Sequence, residues 1–223
     1  VGDENDPTTG GSDMSVPSVA ERPVSEFGEV TLPMPPREGF TADDLDRIPD
    51  LPPHTELIDG SLVLVSPQKR FHMRMLRLLE LQMVMQAPEE LSVEREMTVV
   101  LGERQRPEPD LMLVRARASA DDDATSVSGE DVLLAVEVVS PESEIRDRRR
   151  KPELYAEAGI PHFWLVEKKD SGPAVFVYEL DPVNERYTNV GVHRERLKVS
   201  APCDLDIDLT RLPHFGGAPT SEG

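Results

Sequence analysis

Glu56, Asp110, Glu137 and Lys151 are side chains of the types that phosphoryl chemistry needs. Carboxylates are hard oxygen ligands that hold Mg²⁺ at about 2.0–2.1 Å and leave positions for water and a phosphate oxygen. A metal held in this way polarises a phosphoryl group and lowers the pKa of its bound water, while an ammonium orients that water or neutralises charge developing on phosphorus. Two acids and a lysine would therefore suit phosphodiester hydrolysis by in-line attack of a metal-activated water, provided the fold brings them together.

The elements that must do so lie mostly between Leu133 and Glu167. Leu133, Leu134, Ala135 and Val136 precede Glu137, and Val138 and Val139 follow it before Ser140-Pro141 ends the run. A Val-rich run of this kind reads as a strand buried on both faces, where a lone carboxylate needs a partner such as a metal ion. The chain from Asp147 to the stop signal Gly159-Ile160-Pro161 reads as a helix of about three turns. Asp147, Lys151, Leu154 and Ala158 share one stripe, so the acid and the ammonium look inward, and Arg148 and Arg149 look outward. Phe163-Trp164-Leu165-Val166 forms the next apolar strand, giving strand, helix, strand and a parallel, right-handed crossover.

Elsewhere, Asp59-Gly60 between two apolar runs predicts a hairpin over Thr55 to Pro67. On this stretch alone Glu56 reads as a solvent-facing strand residue. Thr41 followed by Asp43, Asp44 and Leu45 resembles a capped start of a short helix. Met75, Leu76, Leu79 and Met83 recur at helical spacing between Arg70 and Gln86, with His72 one turn before Leu76, where a satisfied core histidine is the ordinary reading. Leu91 to Leu101 is rich in strand formers, and Pro109-Asp110 leads directly into the buried strand Leu111 to Val114. The stretch Ala116 to Asp131, with Asp121, Asp122 and Asp123, reads as a flexible, solvated acidic loop. Two antiparallel strands follow near Ala174 to Leu180 and Arg186 to Val192, and Leu205 to Leu212 is expected to pack on the sheet edge.

Residues 1–38 are rich in Pro, Gly, Ser, Thr and acids and are expected to form a disordered tail. One domain over 39–212 and a flexible tail over 213–223 complete the organisation. The single cysteine, Cys203, excludes an internal disulfide and a multi-cysteine zinc site, and fits a reducing, cytoplasmic setting. No apolar stretch approaches the roughly 20 residues of a membrane span. The net charge of -19 opposes casual binding to a polyanion, and the objection survives without the tail. The first 39 residues carry 8 acids and 2 basic residues, so the remainder keeps 35 and 22 and a net charge of -13.

Pro109-Asp110, the apolar strand into Glu137, Ser140-Pro141, Asp147, Lys151, Tyr155, Gly159-Ile160-Pro161 and Phe163-Trp164-Leu165-Val166 together resemble the Uma family of bacterial endonucleases. That family is a branch of the PD-(D/E)XK restriction-endonuclease-like superfamily. The resemblance covers about Phe40 to Leu180. It implies an α/β fold with a mixed central β-sheet flanked by α-helices, and a Mg²⁺-dependent site in which Mn²⁺ is an alternative cofactor. Asp110 and Glu137 would be the metal carboxylates, Glu56 an additional acid, and His72 and Asp147 neighbours of the site without assigned roles. The superfamily pattern places a lysine where this chain has Val139. The branch resembled here supplies it from the next helix, which fits Lys151.

The reading that follows is a metal-dependent endonuclease acting on nucleic acid, with DNA as the expected substrate. Lys69, Arg70, Arg74, Arg146 and Arg148 are the candidate nucleic-acid contacts. The acidic surface asks for help in gripping DNA, from a homodimer that aligns these basic patches or from an additional DNA-binding subunit. The competing reading is a catalytically inactive nuclease-fold protein serving as a protein-interaction module, which would show no dependence on Mg²⁺. A zinc hydrolase fits worse, because His54, His72, His162, His193 and His214 show no paired ligand spacing.

Overall fold

The computed structural model describes residues 33–65 and 67–212. Most of both expected tails lies outside these residues; 33–38 are exposed and form neither helix nor strand. Among the described residues no helix is long and apolar enough to cross a membrane.

The strands are β1 (Glu56–Ile58), β2 (Ser61–Val63), β3 (Leu91–Arg95), β4 (Thr98–Val100), β5 (Leu111–Arg115), β6 (Ser126–Ser128), β7 (Val132–Val138), β8 (His162–Lys169), β9 (Gly172–Asp181), β10 (Arg186–His193), β11 (Arg196–Val199) and β12 (Leu205–Asp208). The helices are α1 (Asp44–Arg47), α2 (Arg70–Val84) and α3 (Lys151–Glu157). Six strands form a mixed central sheet in the order β10-β9-β8-β7-β5-β3. Within it β7 and β8 run parallel and the other neighbours antiparallel. This is the mixed α/β architecture that the sequence implied.

Side-chain alternation along the central strands decides what each face of the sheet carries. Leu134, Val136 and Val138 of β7, with Trp164 and Val166 of β8, pack against Met75, Leu76, Leu79 and Met83 of α2. Ala135, Phe163 and Leu165 face the other way, against Tyr155 of α3 and Ile160. Glu137 falls between Val136 and Val138 and so takes the α3 side. It is buried there, one register step from the end of β7, with Leu165 as its partner on β8.

The segment before α3 departs from the expected regular helix. Arg146–Arg150 winds as a π-type turn and runs directly into α3, with Pro152 in the first α turn. A proline there removes an N–H that a regular helix would need, and the wider winding ahead of it absorbs the loss. Asp147 and Lys151 still both point inward and are buried.

Three further expectations are corrected. Leu205–Asp208 does not add to the sheet edge but pairs with Arg196–Val199 in a separate two-stranded ribbon. Its Leu205 and Ile207 join the core that α2 covers, because alternation turns them to the same side. Within the expected loop over Ala116 to Asp131, β6 pairs in parallel with β4, and Val127 and Val99 are buried together on the α3 side. The cap at α1 is reversed: Asp44 accepts hydrogen bonds from the Thr41 backbone N–H at 2.7 Å and its hydroxyl at 2.9 Å.

Candidate active site

Asp59-Gly60 closes the β1–β2 hairpin with both residues at positive φ, 53° and 74°, as a two-residue hairpin turn of this hand requires. Residues 102–107 lie over this hairpin. Leu57 and Arg106 exchange backbone hydrogen bonds at 2.9 and 2.8 Å. The buried Arg106 guanidinium binds Asp46 at 2.6 and 3.0 Å and the Ala42 carbonyl at 3.0 Å. Covered in this way, all three residues of β1 are buried, so Glu56 is not the solvent-facing residue that its own stretch suggested. It points into the interior, where Lys151 waits.

Lys151 is the hub of the cluster. Its Nζ lies 2.7 Å from Glu56 Oε1, 3.0 Å from Glu137 Oε1 and 3.9 Å from Asp147 Oδ1. It also donates to the Glu108 carbonyl at 3.3 Å. Tyr155, one helical turn beyond, donates its hydroxyl to Glu137 Oε1 at 2.6 Å. Three carboxylates thus surround one ammonium, and two negative charges are left over if all three ionise.

Asp110 stands beside this group at the entry to β5. Its Oδ2 accepts the Val138 N–H at 2.6 Å, and its Oδ1 lies 2.9 Å from His72 Nε2. The expected four residues and both expected neighbours, His72 and Asp147, are therefore brought to one place. All six line a cavity of about 360 Å³. Val139, at the position of the superfamily lysine, packs against the α3-side core and donates its backbone N–H to Val166 at 2.9 Å.

Burial of so many acids shifts their protonation. Desolvation pushes the Glu137 carboxyl well above its ordinary range; Lys151 opposes this, and Asp147, Asp110 and Glu56 add to it. Asp147 is pushed up to about 6, again chiefly by burial. Burial by itself would pull the Lys151 ammonium down, but Glu137, Glu56, Asp147 and Asp110 outweigh it and hold the group well above its usual value. The lysine stays charged, while burial shifts Glu137 and Asp147 towards their protonated forms.

Two residues of the cavity had no signal in the sequence. His54 Nδ1 meets Glu108 Oε1 at 2.5 Å, and Glu108 also donates its N–H to Glu56 Oε1 at 2.9 Å. Burial raises the Glu108 carboxyl, and the hydrogen bond to Glu108 raises the His54 imidazole. His54 adopts φ 61°, a left-handed conformation rare for a non-glycine residue. A contact across 54 positions of chain leaves no local pattern. Tyr155 could have been found, since it lies four residues after Lys151 on the same helical face.

The candidate nucleic-acid contacts are not gathered into one patch. Arg146 lines the acidic cavity, with its Nε buried and without a hydrogen-bond partner. Arg148 is held by Glu167 at 2.6 Å and Glu144 at 3.2 Å, and Lys69 by Glu142 at 3.4 Å. Arg70 and Arg74 line a different cavity on the α2 side.

Residues 42–211 match the model of the Uma2 family, described as "Putative restriction endonuclease". The chain belongs to the Uma2 family. Among solved structures, this Uma2 chain is similar to one described as a "putative nuclease belonging to DUF820" from Anabaena variabilis ATCC 29413, at 15% identity and a TM-score of 0.57. The similarity covers 73% of this chain and 89% of the other, and it shows a shared fold. Comparison with curated proteins finds no match. The family and fold resemblance drawn from the sequence is borne out.

Proposed function

We propose that this Uma2 chain is a divalent-metal-dependent endonuclease that hydrolyses phosphodiester bonds in DNA. The observation that carries this reading is the charge imbalance at Lys151, where one ammonium is set among Glu56, Glu137 and Asp147 beside Asp110, at the wall of an open cavity. A cluster of this kind is completed by a cation.

The residues fit Mg²⁺ or Mn²⁺. The donors are hard carboxylate oxygens, and among the described residues Glu56 Oε2 and Asp147 Oδ1 are buried without a hydrogen-bond partner. No three His, Cys, Asp or Glu among the described residues already form a cage. Mg²⁺ does not need one, because it keeps several waters and takes one or two carboxylates. Asp110 and Glu137 would hold the ion, with Glu56 as an additional acid. When bound, the metal supplies Lewis acidity at the phosphoryl oxygen and a more acidic water.

The chain's own groups do the positioning. The Val138 N–H and His72 fix the Asp110 carboxylate from two sides, and Tyr155 fixes that of Glu137. Such supports hold ligands in a working orientation without waiting for substrate. Lys151, kept charged by its acids, places a positive charge where negative charge builds on the phosphoryl group.

A homodimer would present two such sites to the two strands of a duplex, and a separate DNA-binding subunit would offset the acidic surface. One observation favours the inactive-module reading: both oxygens of Glu137 are already engaged, by Tyr155 and by Lys151. Glu137 Oε2, which only Lys151 engages, has a second lone pair, so the engagement does not close the site.

The test is cleavage of supercoiled plasmid and of single-stranded DNA at low salt with Mg²⁺ or Mn²⁺, using wild type, Asp110→Ala and Glu137→Ala. Metal-dependent nicking by the wild type, lost in both variants, is the expected result. Equal nicking by all three would remove the site assignment. No cleavage with either metal would favour the interaction module.

A further inference from the structure

On the α2 side of the sheet lies a second cavity, of about 590 Å³, whose lining includes Arg70, Arg74, Lys168 and Arg194. Glu195 is its one acid, and Ser171 and Thr210 add hydroxyls. In a chain with 43 acids against 24 basic residues, this lining inverts the balance. It is also unlike most basic positions of the fold. Arg95, Arg106, Arg115, Arg117, Arg148 and Arg150 are tied to acids. Among the described residues no ion pair joins Arg70, Arg74, Lys168 or Arg194 to any acid.

The position of this groove relative to the acidic cavity follows from α2 and β8. The first five residues of α2 carry His72 into the acidic cavity and Arg70 and Arg74 into the groove. The helix's first turn contains no acid and has no side-chain cap, so its N–H groups add to the positive field. On β8, Val166 pairs with Val138, the neighbour of Glu137, and Lys168 lies two residues further along, about 7 Å by strand geometry. The groove therefore begins at the same end of the sheet as the candidate site, one helical turn of α2 away.

We infer that this groove seats the phosphate backbone of the nucleic-acid substrate on one side of the scissile bond. The inference rests on the nuclease reading for the identity of the polyanion. It answers the objection raised by net charge: four cations without acid partners line one groove where a strand leaving the site would run. Arg and Lys contacts of this sort grip phosphates without reading sequence, so the groove would act on any duplex alike.

The test is fluorescence anisotropy of a labelled duplex and a labelled single strand with the full chain, in Ca²⁺ and in EDTA, between about 50 and 200 mM salt. Variants are Arg70→Gln with Arg74→Gln, Lys168→Gln with Arg194→Gln, and all four together; Arg47→Gln with Arg196→Gln is the control outside the groove. Each pair is expected to flatten the dependence of log affinity on log salt by about 1.8 for a duplex, since each phosphate contact contributes about 0.9. The fourfold variant is expected to lose at least about tenfold in affinity at the lowest salt, with an unchanged circular dichroism spectrum, and the control none. Unchanged affinity and slope in the groove variants, or an equal loss in the control, would overturn the inference. So would displacement of the duplex by polyglutamate at equal charge concentration, which would assign the groove to an acidic protein. The two readings separate cleanly. Groove-dependent binding without Mg²⁺-dependent cleavage would sink the nuclease and leave the groove, and cleavage with groove-independent binding would do the reverse.

Discussion

Asp147 gives the acidic cluster a measurable signature in the absence of metal. Its folded value of about 6 stands above the ordinary 3.8, so the folded chain prefers the protonated acid more than the unfolded chain does. The stability contributed by that preference is fully present below pH 3.8 and is lost as pH rises through about 6. The interval corresponds to about 3 kcal/mol at 1.36 kcal/mol per pH unit, little of it screened because the side chain is 2% exposed. Asp147→Asn removes the titration and retains an acceptor for the Ser143 hydroxyl, which bonds Asp147 Oδ2. Urea unfolding of both proteins in EDTA, from pH 3.5 to 8, reads this group together with the part of the Glu137 shift that Asp147 causes. The difference in unfolding free energy, variant minus wild type, is expected to rise with pH by about 3 kcal/mol and to level off above about pH 7. Mg²⁺ should shrink it at neutral pH by neutralising the same charge. A difference that is flat across the range, or that falls with pH, would refute the claim that burial holds this carboxyl above its ordinary range.

Further consequences concern the cluster's supports. Lys151→Met leaves Glu56, Glu137 and Asp147 without their ammonium and is expected to cost about 3–5 kcal/mol at neutral pH; denaturant unfolding that changes by less than 1 kcal/mol would contradict this (~1 kcal/mol being the scale of an exposed pair). Tyr155→Phe removes one hydrogen bond to Glu137 and should cost about 1.5–3 kcal/mol in the same measurement. Gly60→Ala forces a side chain onto φ 74° and towards the Arg104 guanidinium. A thermal melt should register about 1–2 kcal/mol of lost stability. Saturating Mg²⁺, at about 100 times its dissociation constant, should stabilise the wild type by about 2.7 kcal/mol and Asp110→Asn by much less.

The sequence made Glu137 and Lys151 legible for different physical reasons. A single acid in a Val-rich buried strand stands out against its own surroundings, and the inward stripe of Asp147, Lys151 and Leu154 survived even though the first part of the helix is π-wound. Asp110 was marked by the strand it precedes, and its partners show how little of the site was local: the Val138 N–H and His72 come from positions 28 and 38 residues away. Glu56 was singled out by its type but read as solvent-facing on its own stretch, because a three-residue strand has too few positions to show which face is covered. What covers it, Arg106 and residues 102–107, looks like polar turn material in sequence and becomes structural once Arg106 binds Asp46 and Ala42. The pairing of His54 with Glu108 and of β4 with β6 likewise depends on the assembled chain. Leu205 to Leu212 was read as apolar enough to pack, which it does, but its partner strand and its place under α2 follow from tertiary contacts.

The most direct measurement is calorimetric titration of Mn²⁺ into the wild type, Asp110→Asn and Glu137→Gln at neutral pH, above the value of about 6 to which Asp147 is pushed. Saturable binding by the wild type that is lost or greatly weakened in both variants, with folding intact by circular dichroism, is the predicted result. Binding that is absent in the wild type, or unchanged by either substitution, would contradict the view that these carboxylates are assembled to hold a cation.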